Sequence, residues 1–140
     1  MGSTNLNSEL LSSKLDETLQ IITTVNKQFM DSQLTTFICV CIPEFLSLFE
    51  TERLIQELTK LGIDVHNIVV NLILPNVSKS LGCEHCDKRK EVHRKYLVQI
   101  DDLYSDFNVT KIDSQISEVR GIQKLSEFSK LLTKRYANKL

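Results

Sequence analysis

The sequence predicts an α/β fold with a parallel sheet, and two apolar runs with the segment between them are the basis for it. Residues 34–42 and 66–74 are apolar, rich in β-branched side chains and nearly free of charge, which is typical of strands buried in a parallel sheet. Between them, Ser47 and Glu50 form a capping-box pattern that predicts a helix up to Leu61, and Gly62 is suited to close it. Strand, helix and strand at this spacing indicate a right-handed βαβ unit.

The other segments extend this order to α–β–α–β–α–β–α. An apolar stripe over residues 8–30 predicts a first amphipathic helix, and we expect it to face the core, with a partner-binding face as the alternative; the stripe contains Leu11, Leu15, Leu19, Ile22 and Phe29. A helix over about 84–105, a strand near 107–112 and a helix from Ile122 to Leu132 follow. Three parallel strands leave both sheet edges unpaired, so the chain resembles part of a larger doubly wound sheet.

Composition and charge exclude several classes of protein. The chain has 140 residues, is 41% hydrophobic and carries a net charge of -1, so we expect one globular domain and no nucleic-acid partner. The sequence shows neither an apolar run of about 20 residues, as a membrane span requires, nor the pattern of a signal peptide. Four cysteines without a secretion signal predict a reducing compartment.

Cys83 and Cys86 form a C-x-x-C pair, which is typical of half a zinc site or of a redox pair. Zinc in a structural site takes four ligands, and none of the other candidates in this chain is well placed to complete the set: Cys39, Cys41, His85 and His93. A second copy of the pair, brought by another chain across a two-fold axis, is a further solution. Redox and incidental roles remain alternatives.

Three further features bear on function. Cys39 and Cys41 lie two residues apart on a predicted strand. They are interpreted as small core residues, with a redox pair as the alternative. Glu44 follows the first strand and Asn71 lies near the end of the second, at the edge where open α/β sheets bind ligands, although capping or structural roles are the alternative. The four glycines form no phosphate-binding loop, and no catalytic triad is apparent.

Several motifs resemble those of one family, and they occur in its order along most of the chain from about Leu15. They are TTFICVCIPEFLSLFETERLIQELTKLGIDVHNIVVN (residues 35–71), GCEHC, KYLVQIDDLYSDFNV and EVRG. Together they resemble the ArsA-like P-loop ATPases. The nearer likeness is to the eukaryotic branch, the cytosolic ATPases that target tail-anchored membrane proteins in the guided-entry pathway.

The resemblance implies site residues. Family members are homodimers that share one zinc ion through C-x-x-C from each subunit, which would make Cys83 and Cys86 zinc ligands here. The resemblance also assigns nucleotide-binding roles, with Asn71 at the adenine end and Glu44 as a further contact. Glu118 and Arg120 are implied to lie near the base. ATP with Mg²⁺ is the implied cofactor of the complete protein.

The chain departs from the family pattern at the adenine pocket. Leu72 stands where the family usually has glutamine, and Asp113 and Ser114 stand where it usually has Pro-Leu. The phosphate loop, the switch segments and the methionine-rich client-binding helices of the family belong to a portion that precedes the matching region. We therefore expect no ATP hydrolysis by this chain alone.

The resemblance also predicts organisation and partners. Residues 1–30 would end the client-binding subdomain, whose apolar stripe would line a groove for a transmembrane segment, and residues 31–140 would form the C-terminal portion of the ATPase domain. Tail-anchored clients and a receptor at the endoplasmic reticulum are the implied partners, with a cytoplasmic location. Two alternatives remain: a non-catalytic module that is zinc-dimerised or redox-regulated, and an arsenite-stimulated pump subunit.

Overall fold

The computed structural model describes residues 3–75 and 83–133, with side chains from residue 9 onward. The described chain contains four helices and three strands in the predicted order. They are α1 (Ser3–Met30), β1 (Ile38–Cys41), α2 (Phe45–Lys60), β2 (Asn67–Ile73), α3 (Glu84–Leu103), β3 (Asn108–Asp113) and α4 (Ile122–Leu132).

The strands form one parallel sheet with the order β1-β2-β3. Val69 pairs with Val40 on one side and with Thr110 on the other, so β2 is the central strand. The α/β prediction and the βαβ unit are therefore confirmed.

The core lies on one face of this sheet. Ile68 and Val70 of β2 and Ile100 of α3 are completely buried. On β1 the side chains alternate, because Cys39 and Cys41 are buried whereas Val40 is 64% exposed. Right-handed crossovers that step in one direction along a sheet place their helices on the same face. This topology leaves the other face of β1 uncovered within the described chain, so the expectation of a strand buried on both faces is wrong for β1.

Helix α2 begins three residues earlier than predicted. Glu44 is its N-cap residue, without a side-chain capping bond, and Phe45 is the first helical residue. The hydroxyl of Ser47 instead accepts a hydrogen bond from the backbone N–H of Ile42 at 3.0 Å. The predicted capping box is therefore wrong, because Ser47 lies inside the helix, where its hydroxyl bonds to the backbone N–H of the residue that follows β1.

The C-terminal end of α2 agrees with the prediction for Gly62. This glycine has a φ of 72°. The N–H groups of Gly62 and Ile63 donate to the carbonyls of Thr59 and Leu58, each at 3.0 Å. These two bonds form a Schellman motif, which requires a left-handed residue at the position of Gly62.

The apolar stripe of α1 does not face a core. Leu11, Leu15 and Leu19 are each 62% exposed, so the core-facing interpretation is wrong for this chain. The C-terminal end of α1 does contact the rest of the chain, since the rings of Phe29 and Phe37 meet edge to face with centroids 5.7 Å apart. None of the described helices combines the length and the apolar character of a membrane span.

Candidate functional site

The central strand ends in an irregular turn at Asn71 and Leu72. Val70 pairs with Lys111 and Ile73 with Asp113, so β2 advances three residues while β3 advances two. Leu72 takes up the extra residue with a φ of 57°, a left-handed conformation that costs a non-glycine residue about 1–2 kcal/mol. The side-chain oxygen of Asn71 accepts the Leu72 N–H at 2.8 Å.

A cavity of about 350 Å³ opens beside this turn. Its lining contains both Asn71 and Glu118, so the structure brings together two of the residues that the sequence analysis placed near a base. The complete lining is Asn71, Leu72, Asp113, Ser114, Gln115, Ile116, Ser117, Glu118, Val119 and Phe128. We call it the base cavity. Arg120 is exposed and is not among these residues.

The sequence analysis missed the apolar walls of the base cavity. Ile116 stands alone in a polar loop, and Phe128 belongs to the stripe of α4. Phe128 is half-buried, whereas most of the stripe is exposed. Ile116 is itself fully exposed in this chain, and the one available signal was an isoleucine that stands among serine and glutamine residues.

Glu44 lies in a second cavity, of about 330 Å³, and not beside Asn71. This helix-side cavity is lined by Ile42, Glu44, Leu72, Leu74, His85, Cys86, Arg89, His93 and Ser114. Leu72 and Ser114 line both cavities. The four predicted nucleotide residues are therefore distributed over two neighbouring cavities and one exposed loop position.

Two contacts attach α3 to the carboxyl edge of the sheet, and the sequence analysis predicted neither. Arg89 forms an ion pair with Glu44, the N-cap residue of α2. One turn later, the Nδ1 atom of His93 accepts the backbone N–H of Leu74 at 3.3 Å. Burial lowers the pKa of His93, and the nearby charge of Arg89 lowers it further. The neutral ring with its proton on Nε2 fits this contact.

Cys83 and Cys86 begin α3 and carry free thiols. The Cys83 sulfur accepts the Cys86 N–H at 3.4 Å and so caps the helix. The hydrogen bonds that Cys83 accepts from the thiol and the N–H of Cys86 lower the pKa of Cys83, and the thiol bond raises the pKa of Cys86. The pair is therefore suited to hold one thiolate, the form that binds metal.

The pair fits two of the four ligands of a zinc ion. Within residues 3–75 and 83–133, no cluster of three or more His, Cys, Asp or Glu side chains is arranged to hold a metal. His93, a candidate in the sequence analysis, uses its Nδ1 atom for Leu74. Residues 76–82, which lead into the pair, lie outside the described residues.

Cys39 and Cys41 show the opposite behaviour. Both are buried, and desolvation raises the pKa of Cys39 and brings the pKa of Cys41 to about 11. Their thiols stay protonated near neutral pH, and the structural interpretation of this pair is the one that the geometry favours.

Comparison with known proteins agrees with the motifs. The family model described as "Anion-transporting ATPase" matches residues 1–134. Three similar relatives are named ATPase GET3, from Pyricularia oryzae, Neurospora crassa and Aspergillus niger, at 54%, 53% and 50% identity over 88%, 86% and 93% of this chain. The chain spans only 36%, 35% and 38% of their respective lengths. With its family model matched over nearly the whole sequence, this chain belongs to the ArsA family of anion-transporting ATPases, as its motifs predicted.

Proposed function

We propose that this chain is the C-terminal portion of a homodimeric ATPase that targets tail-anchored membrane proteins to the endoplasmic reticulum. The observation that carries the proposal is the 50–54% identity to proteins named ATPase GET3 over most of the chain. The complete protein would bind ATP with Mg²⁺, switch between open and closed dimers, and act in the cytoplasm and at an endoplasmic-reticulum receptor.

The base cavity would receive the adenine end of the nucleotide. Its lining combines a side-chain amide, Asn71, and a carboxylate, Glu118, with apolar side chains from the exposed Ile116 and the half-buried Phe128. Pockets for planar ligands combine apolar walls with a few polar groups that fix orientation. Glu44, on the other side of Leu72, would contact the nucleotide through its second carboxylate oxygen, because Arg89 pairs with the first.

The cysteine pair would supply half of a zinc site shared by two subunits. Cys83 and Cys86 would provide two thiolates from each chain, and the described chain holds no nearby third ligand. A zinc ion bound there would join the amino ends of the two α3 helices. Each α3 is attached to the nucleotide edge through Arg89 and His93, so this arrangement would connect the subunit junction to the nucleotide site.

Helix α1 would contribute to the client groove. Its exposed leucines offer the apolar surface that a transmembrane segment needs outside the bilayer. This use accounts for an amphipathic stripe that lacks a core partner in this chain.

A zinc titration of the purified chain, read by native mass spectrometry, tests the proposed junction. We expect one zinc ion per two chains, loss of the dimer on chelation, and loss of both zinc and dimer in Cys83→Ser. Cys39→Ala is the matched control, and its zinc stoichiometry should equal that of the wild type. One zinc ion per single chain, or zinc retained by Cys83→Ser, would contradict the shared site.

A chimera tests the targeting function. The chain would replace the matching 124 residues of the Pyricularia oryzae relative, with that unmodified relative as the reference. We expect the chimera to hydrolyse ATP and to deliver a tail-anchored client to microsomes, and the Cys83→Ser chimera to lose delivery. An ATP-independent chimera that still holds clients would favour the non-catalytic chaperone alternative.

The isolated chain provides a further test. We expect no ATP turnover, because its sequence lacks a glycine-rich phosphate loop. Turnover that disappears in Asn71→Ala would overturn this part of the proposal.

A further inference from the structure

Leu72 has a role that the proposed function does not assign. It is the one non-glycine residue of the described segments with a positive φ. It is 52% exposed, and it lines both the base cavity and the helix-side cavity. A residue held in such a conformation by its surroundings points to a functional constraint at that position.

The strained turn determines which residues reach the cavities. Val70 and Ile73 are both buried, although they are three positions apart and a regular strand would send them to opposite faces. The extra residue at Leu72 returns Ile73 to the core, and Asn71 and Leu72 both lie at the cavity edge. The left-handed conformation of Leu72 is thus the local device that builds this wall.

Asn71 is oriented as a hydrogen-bond donor. Its Oδ1 atom accepts the Leu72 N–H at 2.8 Å, which leaves the two N–H groups of Nδ2 for a ligand. Donors of this kind suit the ring nitrogens N3 and N7 of a purine. Because adenine and guanine share those acceptors, Asn71 does not separate them, and discrimination depends on the exocyclic group at C6.

Leu72 contributes only carbon atoms beside Asn71. An apolar side chain contacts the face or the edge of a base, but it makes no hydrogen bond that distinguishes an amino group from a carbonyl oxygen. We propose that Leu72 is a specificity-determining residue of the purine pocket, which holds the base by apolar contact and makes no hydrogen bond of its own to the group at C6. This inference rests on the proposed nucleotide role of the base cavity.

The test titrates adenosine and guanosine into the full 140-residue chain with ¹³C-labelled leucine methyl groups, followed by NMR. We expect the methyl signals of Leu72 to shift with either nucleoside, through the ring current of the base. Leu72→Gln should change the ratio of the two constants by about two- to tenfold, the equivalent of one net hydrogen bond. Leu125→Gln, at an exposed leucine of α4 (54% exposed), is the matched control and should leave the ratio unchanged.

The outcomes separate the inference from the proposed function. Absence of nucleoside binding by the wild-type chain would overturn the base-cavity assignment and the inference with it. Binding without a shift of the Leu72 methyl signals, or an unchanged ratio in a folded Leu72→Gln variant, would overturn the inference alone.

Discussion

The two cysteine pairs of this chain consist of the same side chain and differ in almost every chemical property. Cys39 and Cys41 lie two apart on a strand, whereas Cys83 and Cys86 lie three apart at the start of a helix. The first pair is buried and the second is accessible, with Cys83 exposed and Cys86 half-buried. The comparison shows that the secondary structure around a thiol, more than the spacing of the pair, decides its chemistry here.

The physical causes of the difference are desolvation and backbone polarity. Side chains along a strand repeat every two residues, so both strand cysteines point toward the core beneath α2. Removal from water there disfavours the thiolate and raises the pKa of Cys41 to about 11. At the start of α3 the Cys83 sulfur accepts a hydrogen bond from an N–H group that has no partner within the helix. The aligned peptide dipoles also place a partial positive charge at this end of the helix. The same residue is therefore a packing group in one place and an accessible thiol with a lowered pKa in the other.

Thiol alkylation should show the largest difference between the pairs. We expect iodoacetamide to modify Cys83 at pH 7.5 on the order of 100-fold faster than Cys41, because the thiolate is the reactive form and Cys41 is both buried and protonated. Peptide mass spectrometry after timed quenching, with a chelator present, gives the rate at each site.

The pH dependence of alkylation sharpens this test. Deprotonation creates the reactive thiolate, so the rate at Cys83 should rise with pH and reach its midpoint below 9.0, the ordinary value for the thiol. Equal rates at the two pairs in the folded chain, or a midpoint above 9.0 at Cys83, would contradict the comparison. Alkylation in urea is the control, since unfolding should equalise the rates.

Serine substitutions should affect stability in different ways at the two pairs. Cys41→Ser places a hydroxyl in the core, and we expect a loss of about 1–3 kcal/mol in the free energy of unfolding. Cys83→Ser should change it by less than about 0.5 kcal/mol, because serine is itself a favoured N-cap residue. Urea unfolding followed by circular dichroism, with metal chelated, measures both.

Cys41→Ala is the control for the first substitution, since it removes the thiol without adding a polar group. A Cys41→Ser variant as stable as the wild type would show that the hydroxyl finds a partner, with Thr51 as the candidate because it already bonds to this thiol.

His93 gives the stability of α3 a pH dependence. The folded state lowers the pKa of His93 from 6.5, mainly by burial. The folded state then binds fewer protons than the unfolded state, so this stabilisation is complete above pH 6.5 and is lost as the pH falls through the lowered folded value. Urea midpoints measured between pH 7.5 and 5 should fall, and His93→Gln should reduce the slope.

His85→Gln, at an exposed ring of the same helix, is the matched control and should retain the wild-type slope. A slope that is identical in His93→Gln and the wild type would assign the pH dependence to other groups.

The smallest expected effect is that of the ion pair between Arg89 and Glu44. Both side chains are partly exposed, and pairs of this kind contribute about 0–1 kcal/mol. Arg89→Gln should therefore lower the free energy of unfolding by less than about 0.5 kcal/mol in urea unfolding at moderate salt. A larger loss would mean that Arg89, rather than His93, is the main attachment of α3 to the sheet.

The sequence predicted the order of elements because strand, helix and strand carry strong local signals. Apolar β-branched runs, Gly62 and the two prolines determine those elements without knowledge of the rest of the molecule. The start of α2 was wrong because the Ser47 hydroxyl has two available backbone partners, and only the fold decides that Ile42 is the one it bonds.

The candidate site was harder to predict because it depends on contacts between distant segments. Asn71, chosen from its place near the end of a strand and from the resemblance, shares the base cavity with Glu118, which was chosen from the resemblance alone. Glu44, also chosen from its position, lies in the other cavity. The separating residue, Leu72, owes its position to a one-residue difference in register between β2 and β3. A pairing mismatch of that kind leaves no mark on the composition of either strand.

That register difference makes the cavity edge depend on the number of residues as well as on their identity. Deleting one residue from the turn would let β2 continue as a regular strand, and the asparagine and the leucine would no longer share one rim. Point substitutions at this rim alter the side chains that it presents, whereas an insertion or deletion removes the rim itself. Relatives that differ in length at this position are therefore expected to differ in the shape of this cavity more sharply than relatives that differ only in side chains.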